Sequence, residues 1–138
     1  MGGGGVHHID FVVSDLERSL AFYRGLLVPL GYERASEVVG ERGERVVYLI
    51  GEGMPALGLR EALSEGRHDR YRIGVHHVAF EAPSREVVDE RLGWVHAQDV
   101  EIENDPKEYD YLPGYYAGFF YDPDGIKLEV LHVPPARR

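Results

Sequence analysis

The sequence contains no cysteine. That excludes a disulfide scaffold, a thiol nucleophile and a thiolate zinc site, so any metal must be held by His, Asp or Glu. It also lacks an apolar run near the length of a membrane span, and its start, MGGGGVHH, has no signal-peptide pattern. A cytoplasmic protein with no membrane partner is the expectation. Positive charge is scarce: 15 Lys and Arg stand against 24 Asp and Glu, a net charge of −9. Such a surface repels nucleic-acid backbones and anionic lipid, so neither is expected as a partner. Lysine itself occurs only at Lys107 and Lys127. What remains is an ordinary globular composition, 138 residues with 43% hydrophobic and 28% charged, enough for one domain with one core.

The chain opens with glycines up to Gly5, read as a flexible N-terminus over residues 1–5. Val6 to Val13 alternates as a strand, with Ile9, Phe11 and Val13 on one face and His8 and Asp10 on the other. Ser14 and Glu17 form an S-x-x-E capping box ahead of a helix carrying Leu16, Leu20, Tyr23 and Leu27 at helical spacing. Pro29 and Gly31 close it. Three strands are expected next, at Tyr32–Val39, Glu44–Ile50 and Met54–Arg60, separated by glycine turns. The polar stretch 61–72 reads as a linker.

Then the opening phrase returns. Gly74-Val75-His76-His77 repeats Gly5-Val6-His7-His8, and Phe80 repeats Phe11, all 69 positions on. A helix start at Pro83-Ser84 follows, with Val88, Leu92 and Val95 on one face. A strand is expected at Val100–Glu103, then a long loop rich in acids and tyrosines. Strands at Tyr116–Tyr121 and Ile126–Val133 flank the turn Asp122-Pro123-Asp124-Gly125, and residues 134–138 read as a loose tail. Each half is strand, helix, strand, strand, strand, an α+β pattern with an internal repeat. Module one covers about 6–60 and module two about 73–133, together forming a single domain over 6–133.

Three residues could carry chemistry. His8 and His77 hold equivalent places in the two halves, and Glu129 lies mid-strand between Leu128 and Val130. A carboxylate on a buried strand face costs several kcal/mol without a partner, and a cation would supply one. Two imidazoles and a carboxylate suit Fe, Mn, Ni, Co or Zn, with positions left open for substrate. By parity His7 and His76 belong to the opposite, helix-packed face and read as structural. Asp10 and Glu81 share the parity of His8 and His77, so each is a candidate base or partner of a metal ligand, or alternatively pairs with an arginine such as Arg60. Seven aromatics lie between Tyr109 and Tyr121. Tyr111, Tyr115, Phe119 and Tyr121 are the candidates for a substrate wall.

The phrases HHIDFVVSDLERSLAFYRGLL, HHVAFEAPS and DPDGIKLEVLH resemble the vicinal oxygen chelate superfamily. That group includes glyoxalase I, extradiol dioxygenases, methylmalonyl-CoA epimerase, fosfomycin-resistance transferases and bleomycin-resistance proteins. The resemblance covers about Val6 to Val133. It implies two tandem βαβββ modules forming a curled sheet around a metal cleft, a small-molecule substrate, and dimerisation, which is frequent in the group. His8, His77 and Glu129 match three of the four usual ligand positions, and Gly58 stands at the fourth. A divalent-metal lyase or isomerase is therefore expected. The alternatives are a ring-cleaving dioxygenase, a ligand-sequestering protein of bleomycin-resistance type, and a fosfomycin-type transferase. The dioxygenase tyrosine is replaced by Phe119, the segment Asp110–Gly118 lacks that subfamily's upstream histidine, and Asp10 replaces the usual fosfomycin-enzyme threonine.

Overall fold

The computed structural model describes residues 3–135. The parts of the expected N-terminal glycine run and C-terminal tail at residues 1–2 and 136–138 lie outside them. The chain divides into two compact units, one ending at Gly66 and the other beginning at Arg67. The division falls within the stretch read as a linker.

The first unit contains β1 (His8–Val13), α1 (Leu16–Leu27), a 3-10 turn (Val28–Leu30), β2 (Arg34–Val39), β3 (Arg45–Ile50) and β4 (Ala56–Glu61). The second contains β5 (Val78–Glu81), α2 (Arg85–His96), β6 (Ile102–Tyr109), β7 (Tyr115–Tyr121) and β8 (Lys127–His132). The sheet orders are β1-β4-β3-β2 and β5-β8-β7-β6. In both, the first strand runs parallel to the last and the other pairs are antiparallel. The fold is α+β, with two βαβββ modules, as the repeat implies.

Each helix covers one face of its sheet. α1 buries Leu16, Leu20, Tyr23 and Leu27, and Phe11 of β1 meets the Tyr23 ring edge-on at 5.7 Å. α2 buries Val88, Leu92 and Val95 and packs on β6, β7 and β8. Its start is the expected one: the Ser84 hydroxyl accepts from the Val87 amide at 3.2 Å. The start of α1 differs from the S-x-x-E reading. The cap is Asp15, whose carboxylate accepts from the Arg18 amide at 3.1 Å, while Ser14 accepts from the Arg18 side chain. A carboxylate at this position also meets the positive end of the helix dipole.

β6 is the other correction. The segment expected to loop after Glu103 continues as strand to Tyr109, with irregular register between Ile102 and Asn104 and between Asn104 and Lys107. Pro106 lies in this broken stretch. β6 is an edge strand paired only with β7, and an edge tolerates a missing amide donor and a bulge. The β7–β8 turn follows expectation. Asp122 Oδ1 accepts from the amides of Asp124 and Ile126, each at 2.8 Å, and Gly125 takes a left-handed φ of 85° that a side chain would strain.

Among the described residues no helix is long and apolar enough to cross a membrane.

Candidate functional site

In the second unit β8 pairs with β5 and β7 so that Glu129 lies between Ala79 and Phe119. The odd-numbered residues of β7 and β8 share the face turned away from Leu128 and Val130. On that face Glu129 is only 2% exposed, so its charge needs compensation. Two groups supply it. His77 Nε2 stands 3.2 Å from Oε1, and the Tyr115 hydroxyl donates a short hydrogen bond to Oε2. Burial, then this bond, pushes the Tyr115 phenol far above its ordinary value, so it remains a proton donor at neutral pH.

A cavity of about 410 Å³ opens on this pair. His76, Tyr109, Tyr111, Tyr115 and Phe119 are among its walls. Tyr109 and Tyr111 stack with centroids 5.2 Å apart. Tyr115 meets Tyr111 edge-on, and Phe119 meets both Tyr109 and His77 edge-on. The far wall is charged. Lys127 Nζ lies 2.7 Å from Glu103 Oε2, and the Tyr121 hydroxyl donates to the same carboxylate. Burial alone would raise the Glu103 carboxyl, but Lys127 and Tyr121 outweigh it, and its pKa falls below the usual value.

Three of the four wall candidates, Tyr111, Tyr115 and Phe119, line this cavity. Tyr121 shares their face but lines a neighbouring cavity of about 260 Å³ with Arg67, His68, Arg70 and Glu101. At the strand rise of about 3.3 Å per residue, Tyr121 stands about 20 Å along β7 from Tyr115. Glu81 is exposed at the end of β5, opposite Leu131, and is not among the cavity's lining residues.

The first unit treats the same register differently. Asp10 pairs with Gly58, and Tyr48 pairs with Gly58 from the other side. Asp10 Oδ2 accepts from Arg60 at 2.6 Å and from Tyr48 at 2.9 Å. This is the arginine pairing weighed as the alternative to a free base. Asp10 Oδ1 is buried without a hydrogen-bond partner. A Cβ on Gly58 would come within 2.5 Å of it and of the Tyr48 ring, so the glycine makes room for both. His8, at the start of β1, is exposed, with its ring edge-on to Tyr48 at 5.5 Å.

His7 and His76 depart from the helix-packed placement that parity implies. His7 is exposed, and His76 lines the cavity beside His77. Both precede their strands, where alternation does not yet hold. Burial, then the neighbouring His77 and Lys127 charges, lowers the His76 pKa, which favours a neutral ring.

Two βαβββ modules, each with its first strand parallel to its last, define the class of fold. The chain matches the Glyoxalase/Bleomycin resistance protein/Dioxygenase superfamily over residues 5–130 and belongs to it. It is 32% identical to YqjT of Bacillus subtilis over 91% of this chain and 97% of that protein. A crystal structure of a glyoxylase/bleomycin resistance protein/dioxygenase domain from Frankia sp. EAN1pec superposes with a TM-score of 0.73 at 25% identity, covering 99% and 96% of the two chains. The fosfomycin resistance protein FosX of Listeria monocytogenes, complexed with Mn(II) and sulfate, shares the fold with a TM-score of 0.65 at 22% identity, covering 99% of this chain and 98% of FosX.

That structure of FosX holds Mn(II), and the donors here can be tested against a divalent metal. Ligands at right angles on one ion, each about 2.1 Å from it, stand about 3 Å apart. His77 Nε2 and Glu129 Oε1, at 3.2 Å, fit that spacing. An imidazole and a buried carboxylate are also suitable donors for Mn, Fe, Co, Ni or Zn. Among the described residues no group of three or more His, Asp or Glu is gathered as a metal cluster.

Proposed function

We propose that this protein is a divalent-metal-dependent enzyme of the lyase or isomerase type, acting on a small substrate with neighbouring oxygens. The observation that carries the reading is the His77–Glu129 corner, a buried carboxylate 3.2 Å from an exposed imidazole at the mouth of an aromatic cavity. His77 and Glu129 would hold the ion. The ion would polarise the substrate oxygens and stabilise negative charge developing on them.

The rest of the work falls to the chain. Tyr115 keeps its proton and fixes the orientation of Glu129. Tyr109, Tyr111 and Phe119 seat the apolar body of the substrate and exclude water. Phe119 offers no proton beside Glu129, which favours a lyase or isomerase over ring cleavage. Asp10 is held by Arg60 and Tyr48, so its contribution is to order the first unit's strand face. Glu81 remains a candidate proton carrier at the edge of β5. A homodimer in the cytoplasm completes the reading.

The test is elemental analysis of protein purified without chelators, followed by assays with small diketones, hemithioacetals and catechols. Stoichiometric metal that is lost in His77→Ala and Glu129→Gln, with turnover of a hemithioacetal or diketone, is the expected result. Absence of metal and turnover would sink it. The aromatic cluster favours a second reading, a ligand-sequestering protein. Ligand binding that survives chelation, without turnover, would select it.

A further inference from the structure

The cavity of about 260 Å³ beside Tyr121 is walled by polar side chains and Gly125. Its arginines are Arg67 and Arg70 and its carboxylates Glu101 and Glu103. Glu103 is already satisfied. Lys127 Nζ lies 2.7 Å from its Oε2 and the Tyr121 hydroxyl donates to its Oε1. Arg70 Nη2 is left 3.7 Å from Oε1, too far for a hydrogen bond. Arg70 Nε is buried without a hydrogen-bond partner. Its guanidinium carbon lies 4.9 Å from the Tyr71 ring centre and 5.5 Å from that of Tyr121, so the two rings hold the cation. Among the described residues no carboxylate stands within hydrogen-bond reach of its N–H fork. Arg67 is kept at the cavity by the β7–β8 turn. The next residue, His68, donates its amide to the Asp124 carbonyl at 3.0 Å and its Nε2 proton to the Val75 carbonyl at 2.9 Å. A Cβ on Gly125 would come within 2.9 Å of Arg67 Cγ and Nε, so the glycine leaves that side chain its place. Arg67 itself is exposed, and among the described residues it has no ion pair.

We propose that this cavity is an oxyanion-binding site, taking the phosphate or carboxylate group of a small molecule on Arg70 and Arg67. The charge count favours an anion. Arg67, Arg70 and Lys127 stand against Glu101 and Glu103, a local positive excess in a chain whose net charge is −9. A guanidinium offers parallel N–H donors that match two oxygens of a carboxylate or a phosphate. The tyrosine rings fix the Arg70 plane in advance, so little side-chain freedom is lost on binding. At about 260 Å³ the cavity is smaller than the about 300–1,000 Å³ of sites that enclose a whole ligand. It fits one charged group. Glu103 lines this cavity and the larger aromatic one, so the two meet at its carboxylate. The inference stands apart from the metal reading, because neither arginine is a donor to the ion.

The test titrates the 15N-labelled full chain with inorganic phosphate and, separately, with acetate. EDTA is present throughout, and ionic strength is held constant so that screening does not change. Saturable shifts are expected in the Arg70 Nε–H and in the amides of Arg67, His68 and Gly125, while the Arg85 amide stays still. Arg70→Gln removes charge-assisted hydrogen bonds and should weaken binding about 10–100-fold. Arg70→Lys keeps the charge but not the fork, and should recover only part of that loss. Arg67→Gln, at an exposed position, should lose less than Arg70→Gln. Tighter binding of phosphate would support the site as one for a phosphate group, and tighter binding of acetate as one for a carboxylate. No saturable shift with either ion would overturn the inference. So would an equal loss in Arg85→Gln, which would show attraction to surface charge alone. If Arg70→Gln fails to fold, the wild-type shifts and Arg67→Gln still decide.

Discussion

The two units share a topology but place their carboxylates on opposite strands. At one register position the first unit has Asp10, Gly58 and Tyr48 across β1, β4 and β3. The second has Ala79, Glu129 and Phe119 across β5, β8 and β7. Where one strand supplies the acid, its neighbour is reduced to glycine or alanine. The partners differ as well. Asp10 is closed off by a guanidinium at 2.6 Å, whereas Glu129 faces an imidazole and a phenol. An arginine satisfies a carboxylate permanently. An imidazole can change partner, which is what a binding site requires. The repeat has thus diverged into a locked half and a usable half.

The largest expected effect breaks this asymmetry directly. Glu129→Ala should lower metal affinity by more than the about 10–100-fold typical of an outer partner, while Asp10→Ala should leave it unchanged in the same calorimetric titration. The opposite pattern would reverse the roles assigned to the two units. Next, Gly58→Ala puts a methyl into the space of Asp10 and Tyr48. Overpacking of this kind costs about 1–3 kcal/mol, to be read as a lower urea midpoint. A smaller lowering of the midpoint is expected from Arg60→Met, because it leaves Asp10 Oδ2 with the Tyr48 hydroxyl in place of two donors. The double variant Asp10→Asn/Arg60→Met should regain part of it, and simple additivity of the two changes would contradict the pairing.

The smallest effect concerns pH. Tyr121 is pushed up to about 12 from 10, chiefly by burial and then by its bond to Glu103. Between those values the folded state keeps a proton that the unfolded chain gives up. Stability from this group is therefore complete below pH 10 and is lost as pH rises toward 12. In Tyr121→Phe the unfolding free energy should fall less steeply over that window. An unchanged slope would show that neither burial nor Glu103 holds the proton on the phenol.

Much of this architecture could be read from the chain because it was written twice. The GVHH phrase fixed the equivalence of β1 and β5, and Glu129 stood out as an acid between Leu128 and Val130. Other features resist such reading. β6 combines acids, Pro106 and two register shifts, and only its pairing with β7 makes it a strand. Ser14 and Asp15 are both sound caps by composition, and backbone geometry chose the second. Strand parity misplaced His7 and His76 because it was applied where no regular strand had begun. It also grouped Tyr121 with Tyr115, although a shared face does not mean a shared cavity.

The Asp122 turn has a consequence for how this corner is reached during folding. Its carboxylate binds two amides within four residues, so the β7–β8 hairpin is a local, low-contact-order structure able to form early. A slip of one residue in that hairpin would carry Glu129 to the side covered by α2. The turn therefore acts as a ruler, setting the carboxylate opposite Phe119 before more distant chain arrives. Glu129 owes its side of the sheet to an aspartate seven positions upstream.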